Sequence, residues 1–187
     1  VSGKGVPAAL FMAITRTLLK ATALFVTSPT SCMRKLNDLL AVENDQMMFV
    51  TIFYGVLHLP SGRVAYVNAG HNPPYLRRAD GTVEPVARTG GMAVAVSDGF
   101  VYREGSVQLA PGDLLFLYTD GITEAFNPDA QEYGDARLAS VLQGLNQRPT
   151  TPADICNAVL ADVHRFERGA PQADDMTCMG LRYRGSA

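Results

Sequence analysis

Five consecutive apolar residues, Leu114-Leu115-Phe116-Leu117-Tyr118, run straight into Thr119-Asp120-Gly121-Ile122-Thr123-Glu124. A run that short and that apolar reads as a buried strand. It delivers a carboxylate to the strand's edge, where its charge costs free energy unless something compensates it. A second acidic motif, Asp174-Asp175-Met176-Thr177, sits directly before the strand-like run Cys178-Met179-Gly180-Leu181. Hard divalent cations supply such compensation and prefer carboxylate oxygens. Taken alone, Asp120-Gly121 also reads as an ordinary turn, and Asp174-Asp175 as a solvated acidic loop. Their shared position beside apolar strands marks them as a candidate cluster, because packed sheets bring distant strand ends to one edge.

With 187 residues, 47% of them hydrophobic, the chain has the size and apolar content of one compact domain with a substantial core. No repeat, low-complexity segment or linker divides it, and residues 1–187 are expected to form a single domain. A net charge of -2 argues against nucleic acid or an anionic membrane surface as the main partner. The N-terminus lacks the pattern of a signal peptide. The longest helix candidate, from about Pro7 to Val26, is interrupted by Arg16 and Lys20, so it is not expected to span a membrane. Cys32, Cys156 and Cys178 are odd in number and lack metal-ligand spacing, which suits reduced, partly buried thiols of a cytoplasmic protein.

The first third reads as helical, with Leu10, Ile14, Leu18, Ala21 and Phe25 on one face and Arg16 and Lys20 opposite. Ser28-Pro29 offers a cap and first-turn proline for a second helix, roughly Pro29 to Val42. The middle reads as hairpins. Phe49 to Leu57 returns through Pro60-Ser61-Gly62 to Val64-Ala65-Tyr66-Val67, and Tyr75 to Arg78 returns through Asp80-Gly81 to Val83–Val86. Ser106 to Leu109 is expected to pair through Pro111-Gly112 with Asp113 to Tyr118 as a third hairpin. Helices return around Leu138, Val141, Leu142 and Leu145, and after the capped start Thr151-Pro152-Ala153-Asp154. A last strand runs from Met176 to Tyr183. This order predicts an α+β layered sandwich.

Two carboxylates are too few to hold the pair of cations, about 3.5–4 Å apart, that phosphate-ester hydrolysis favours. Glu43 and Asp45 fall in a helix-to-strand connection and are expected to be solvated. The remaining ligands are therefore either absent or expected to precede Val1. Val1-Ser2-Gly3-Lys4-Gly5 opens the first helix, where a glycine-rich turn can approach an anion closely or simply be a flexible loop. It is not a P-loop, since no Ser or Thr follows the lysine in the required position. In Asn68-Ala69-Gly70-His71-Asn72-Pro73-Pro74, His71 is either a general acid or substrate contact, or a structural residue fixing the turn. His58 and His164 have no suggestive company. Gly90-Gly91 and Ser97-Asp98-Gly99 read as loop punctuation.

The order of motifs resembles the SpoIIE/RsbU-like branch of the metal-dependent PPM serine/threonine phosphatases. The resemblance rests on VSGKGVPAALFMA (1–13), FVTIFYGVL (49–57), YVNAGHNPP (66–74), APGDLLFLYTDGITEA (110–125), YGDARL (133–138) and DDMT (174–177). It implies a four-layer αββα sandwich of two mainly antiparallel sheets, here expected to lack its first strand or strands. It implies Mn²⁺ or Mg²⁺ as cofactor, two ions in the intact domain, with Asp120 and Asp174 as ligands and Val1 contributing its backbone carbonyl. No side chain would itself be the catalyst: metal-activated water attacks phosphorus in line, without a phospho-enzyme. Gly3, Lys4, Gly5, Gly121, His71, Asn72 and Asp175 would shape the site or meet substrate. The family's Asp in "DVSGKG" would precede Val1, so this chain is expected to bind metal poorly and to be weakly active. Gly91-Met92-Ala93-Val94-Ala95-Val96 departs from the family's usual Leu-Gly pair. The branch also lacks the His that other PPM phosphatases keep beside the first metal Asp, so His71 is not given that role. The implied substrate is a phosphoserine or phosphothreonine protein, typically a STAS-domain anti-anti-sigma factor. An upstream sensor or receiver domain, a possible homodimer and a regulatory role for the helices from Pro7 to Val42 are implied as well. The alternative is a non-catalytic phosphatase-fold module that serves as a scaffold or partner trap.

Overall fold

The computed structural model describes residues 1–42, 44–145 and 151–186; Glu43 lies outside them. In chain order the elements are α1 (Gly5–Ala23), α2 (Pro29–Ala41), β1 (Ile52–His58), β2 (Arg63–Ala69), β3 (Tyr75–Arg77), β4 (Val83–Pro85), β5 (Gly105–Gln108), β6 (Leu114–Tyr118), α3 (Asp120–Thr123), α4 (Gly134–Gly144), α5 (Pro152–Glu167) and β7 (Cys178–Arg182). They fall into two units, each with its own core. The first contains Val1–His58, Arg63–His71 and Ala87–Val107, and the second Leu59–Gly62, Asn72–Val86 and Gln108–Ala187.

In the first unit β1 pairs antiparallel with β2, and β5 lies on the other side of β2. α2 begins where the sequence predicts: Pro29 occupies the first turn, and the Ser28 hydroxyl accepts the Ser31 N–H at 3.4 Å. Its buried face carries Met33, Leu36 and Leu40, which join Val50, Val67, Val94 and Tyr102 in one apolar cluster. Asn37 is also fully buried on that face. Its Oδ1 accepts the Ala95 N–H at 2.9 Å and the Tyr102 hydroxyl at 3.2 Å, and its Nδ2 donates to the Ser97 carbonyl at 2.8 Å.

α1 packs on a face that shares only Leu18 with the one its periodicity suggests. Leu10, Ile14 and Phe25 are 59%, 52% and 86% exposed, whereas Phe11, Leu18 and Leu19 lean on the cluster and Thr15 and Thr22 are buried. The helix is apolar around most of its circumference, so spacing alone selects no single face. Burial of Thr15 is tolerated because its hydroxyl donates to the Phe11 carbonyl at 2.8 Å. By length and composition alone α1 is also able to cross a membrane, despite Arg16 and Lys20.

The second unit holds a four-stranded antiparallel sheet in the order β4-β3-β6-β7. The expected hairpin between β5 and β6 does not form; β5 joins β2 and β6 lies between β3 and β7. The Pro111-Gly112 corner is instead organised by Asp113, whose side chain is 2% exposed. Its carboxylate accepts the Ala79 and Ala110 N–H groups, each at 2.9 Å, and pairs with Arg78 at 3.0 Å. α5 opens with the full capping box between Thr151 and Asp154. α4 and α5 cover Leu114, Phe116 and Tyr118 with Leu138, Leu142, Ile155, Val159 and Val163.

Candidate metal-binding site

β6 and β7 bring the two acidic motifs together. Their ladder ends at Tyr118 opposite Cys178, and the next residues along each segment are Thr119 and Thr177. There the pairing continues with a side chain as one partner. The Thr119 N–H donates to the Thr177 carbonyl at 3.0 Å, and the Thr177 N–H donates to the Thr119 hydroxyl oxygen at 2.9 Å. The same hydroxyl donates to the Asp175 carbonyl at 3.1 Å. Thr119 thus stitches the start of the Asp120 turn to the Asp174-Asp175 segment. Beyond it the chain turns sharply into α3, held by the fully buried Ile122.

Gly121 makes the approach possible. A β-carbon there would stand 2.5 Å from the Asp175 carbonyl oxygen and 3.2 Å from that of Asp174. Every other residue would force the segments apart. Asp175 therefore contributes its main chain to the junction, while its carboxylate lies exposed.

Asp120 and Asp174 are both exposed, and among the described residues the ion pairs involve neither. Each carboxylate is oriented by the following peptide: Asp120 Oδ1 accepts the Gly121 N–H at 3.0 Å, and Asp174 Oδ1 accepts the Asp175 N–H at 2.8 Å. The Gln172 side chain also donates to the Asp174 carbonyl at 2.8 Å. Oriented carboxylates without a cationic neighbour fit a hard divalent cation in donor type and charge. Among the described residues no three His, Cys, Asp or Glu side chains stand close enough to hold a metal by themselves. The pair therefore fits part of a coordination shell of about six oxygens.

Asn72 belongs to the same unit. Its side chain meets the Tyr118 hydroxyl, which donates to Asp135 Oδ1 at 2.9 Å. Burial, reinforced by the Asp135 carboxylate, raises the Tyr118 phenol well above its ordinary range, so the hydroxyl stays neutral and fixes the end of β6.

The remaining predicted residues, Val1, Gly3, Lys4, Gly5 and His71, lie in the first unit. Ser2 pairs with Phe49, donating its N–H to the Phe49 carbonyl and accepting the Phe49 N–H on its hydroxyl, both at 2.8 Å. Gly3 and Gly5 both adopt φ +79°, a left-handed conformation that suits glycine, so this turn has a defined shape. Lys4 is exposed and caps α1 without a side-chain hydrogen bond. The His71 N–H donates to Asn68 Oδ1 at 2.8 Å, and its Nδ1 meets the Thr51 hydroxyl at 3.1 Å. Gly91 is more than punctuation: a β-carbon there would collide with the Asn68 carbonyl. Sequence reasoning missed Thr119 and Thr177 as the stitch; the available signal was a threonine directly beside each acidic motif.

The family model described as Stage II sporulation protein E (SpoIIE) matches residues 1–184. The chain belongs to the SpoIIE family. Among curated proteins, this SpoIIE-family chain is 27% identical to Protein IcfG from Synechocystis sp., over 97% of the chain and 32% of that protein. It is 28% identical to Phosphoserine phosphatase RsbU from Bacillus subtilis, over 76% of the chain and 45% of that protein. The chain thus spans between about a third and a half of the length of these relatives. Among solved structures, the RsbU and RsbW domains of Rv1364c from Mycobacterium tuberculosis align over 100% of the chain and 51% of theirs, with TM-score 0.79 and 25% identity. The PP2C phosphatase domain of SpoIIE from Bacillus subtilis, solved with a fragment of its regulatory domain, aligns over 96% and 51%, with TM-score 0.81 and 24% identity. The SpoIIE-family fold seen here, α+β with two antiparallel sheets, is therefore that of PP2C phosphatase domains. Two further structures of this fold concern metals. One is the SpoIIE phosphatase domain presoaked with Mn (TM-score 0.62, 20% identity, 100% of the chain and 78% of that one). The other is RsbX in complex with magnesium (TM-score 0.64, 14% identity, 96% and 75%).

Proposed function

We propose that the chain is the catalytic domain of a metal-dependent protein serine/threonine phosphatase of bacterial cytoplasmic signalling. Its substrate is a phosphoserine or phosphothreonine on a STAS-domain anti-anti-sigma partner. The observation that carries this reading is the junction in which Thr119, Thr177 and Gly121 hold Asp120 beside Asp174. The naming of RsbU as a phosphoserine phosphatase supports the reaction class. The occurrence of RsbU and RsbW domains within one solved relative supports a signalling partner.

Asp120 and Asp174 would hold Mn²⁺ or Mg²⁺, and metal-soaked and metal-bound relatives of this fold support that choice. A bound divalent ion supplies Lewis acidity and activates water for phosphate-ester hydrolysis. The chain's own contribution is positioning. Each aspartate spends one oxygen on the next peptide N–H, and among the described residues the other has no hydrogen-bond partner. The buried Tyr118 and Ile122 prevent the Asp120 turn from drifting. A carboxylate held this way loses little conformational freedom when a cation arrives, which favours binding and keeps the site preorganised.

The test is Mn²⁺-dependent release of phosphate from a phosphoserine-bearing STAS-domain protein, with an aryl phosphate run in parallel. It should be made on this chain and on a longer natural form containing it. Metal-dependent turnover that falls on Asp120→Asn substitution is expected. A folded long form that binds the phosphoprotein yet releases no phosphate with Mn²⁺ present would favour the scaffold module instead.

A further inference from the structure

Cys156 and Cys178 take no part in the acidic junction, yet they face one another inside the second unit. α5 begins against β7: a β-carbon on Gly180 would stand 3.0 Å from Cβ of Pro152. One helical turn beyond Pro152 comes Cys156, about 6 Å further along the helix. Two residues back from Gly180, on the same side of the strand, comes Cys178, about 6.6 Å along β7. With Pro152 against Gly180 and Cys156 near Cys178, helix and strand run in opposite senses and the two advances match. The two thiols lie close enough to influence each other's ionisation. Both border the apolar cluster, both are free, and both keep partial exposure, whereas Cys32 is fully buried in the other unit.

We propose that Cys156 and Cys178 form a reversible disulfide, an oxidant-sensitive clamp between α5 and β7. The oxidant class is a peroxide. One cysteine, as thiolate, attacks a peroxide oxygen; the O–O bond breaks, a sulfenic acid forms, and the departing hydroxide takes up the proton that thiol had released and leaves as water. The second sulfur then attacks the sulfenic sulfur and the S–O bond breaks. The hydroxide that departs takes up the second thiol's proton as water. Two electrons pass from the sulfurs to the peroxide, and a dithiol returns the pair to its reduced state. Burial and the neighbouring thiol push the Cys178 thiol up to about 12, so little of it is thiolate at neutral pH and the crosslink is expected to form faster as pH rises. The clamp would anchor β7 one residue from Thr177, whose N–H is bonded to the Thr119 hydroxyl beside the acidic junction.

The folded chain should be treated with hydrogen peroxide, its remaining thiols alkylated, and its peptides mapped by mass spectrometry. A Cys156–Cys178 crosslinked peptide, reversed by dithiothreitol, is expected, with Cys32 alkylated only after denaturation. Cys156→Ser and Cys178→Ser should each abolish the crosslink, and Cys32→Ser should leave it intact. Thermal unfolding supplies a second readout: oxidation should raise Tm in the parent and in Cys32→Ser, and not in Cys156→Ser. Sulfinic or sulfonic acid at either cysteine without a crosslink, or crosslinks that include Cys32 as often, would overturn the proposal.

Discussion

The carbonyl oxygen of Asp175 lies 2.5 Å from the point where a β-carbon on Gly121 would stand. The two acidic segments therefore meet main chain to main chain, and one hydrogen atom in place of a side chain decides how close Asp120 comes to Asp174. Gly121→Ala should cost about 2–3 kcal/mol, because rigid backbone must yield to the added methyl. Mn²⁺ affinity should fall with it, although no ligand has been removed. Urea unfolding and metal titration check both effects; a variant with parent stability and affinity would show that the segments stand farther apart.

Asp120→Asn separates charge from fold. The side chain is exposed, and among the described residues it accepts a single hydrogen bond, from its own neighbour Gly121. Unfolding free energy should stay within about 0.5 kcal/mol of the parent, as for other surface changes. Mn²⁺ affinity measured calorimetrically should drop at least about tenfold, given the preference of hard cations for charged oxygens. Unchanged affinity would remove Asp120 from the metal's ligands.

Asn37 is a buried amide that closes the loop carrying Ala95 and Ser97 onto α2. Ala95 itself sits at φ +71°, a conformation a β-carbon disfavours. Asn37→Leu keeps the volume and leaves the Ala95 N–H, the Ser97 carbonyl and the Tyr102 hydroxyl without this partner. A loss of about 2–4 kcal/mol is expected in chemical denaturation, from the desolvation cost of unpaired polar groups. A loss below about 0.5 kcal/mol, the range of ordinary surface changes, would mean that water replaces the amide.

Asp162 gathers Arg137, the Tyr133 hydroxyl and Arg165 on a carboxylate that is 15% exposed. The Arg137 hydrogen bond is the largest of the influences that hold its carboxyl below the ordinary range. A depressed native pKa means that the unfolded chain binds the proton first, so the stabilisation is complete above the unfolded value of about 3.9. It is lost as pH falls through the lower native value. Asp162→Asn should therefore cost about 1 kcal/mol near pH 7, a modest figure because the arginines are largely solvated. The gap from the parent should close in acid. A gap that persists unchanged at pH 2 would assign the effect to packing.

The elements that the sequence announces most clearly are those whose signals are local. Ser28-Pro29 and Thr151-Pro152-Ala153-Asp154 carry their own capping chemistry, and α2 and α5 begin there. The apolar run 114–118 is a central strand because that placement buries four of its five side chains. Local signals fail where the partner is distant. Pro111-Gly112 looks like a hairpin turn, but alternation along β5 and β6 says nothing about which strand accepts their hydrogen bonds. The face of α1 is equally open, since apolar residues surround it and only the neighbouring cluster selects Phe11, Leu18 and Leu19 over Leu10 and Ile14.

By itself the sequence determined the α+β class, most of the elements and the two carboxylates that mark the candidate site. Those features follow from periodicity, capping and charge within a few residues. Only the tertiary structure decided that Thr119 bonds Thr177 across 58 positions and that Gly121 must lack a side chain. It also decided that α5 and β7 bring Cys156 within range of Cys178. Such relations depend on strand register and helix placement, which emerge from packing many residues at once and leave no trace in the spacing of any one segment.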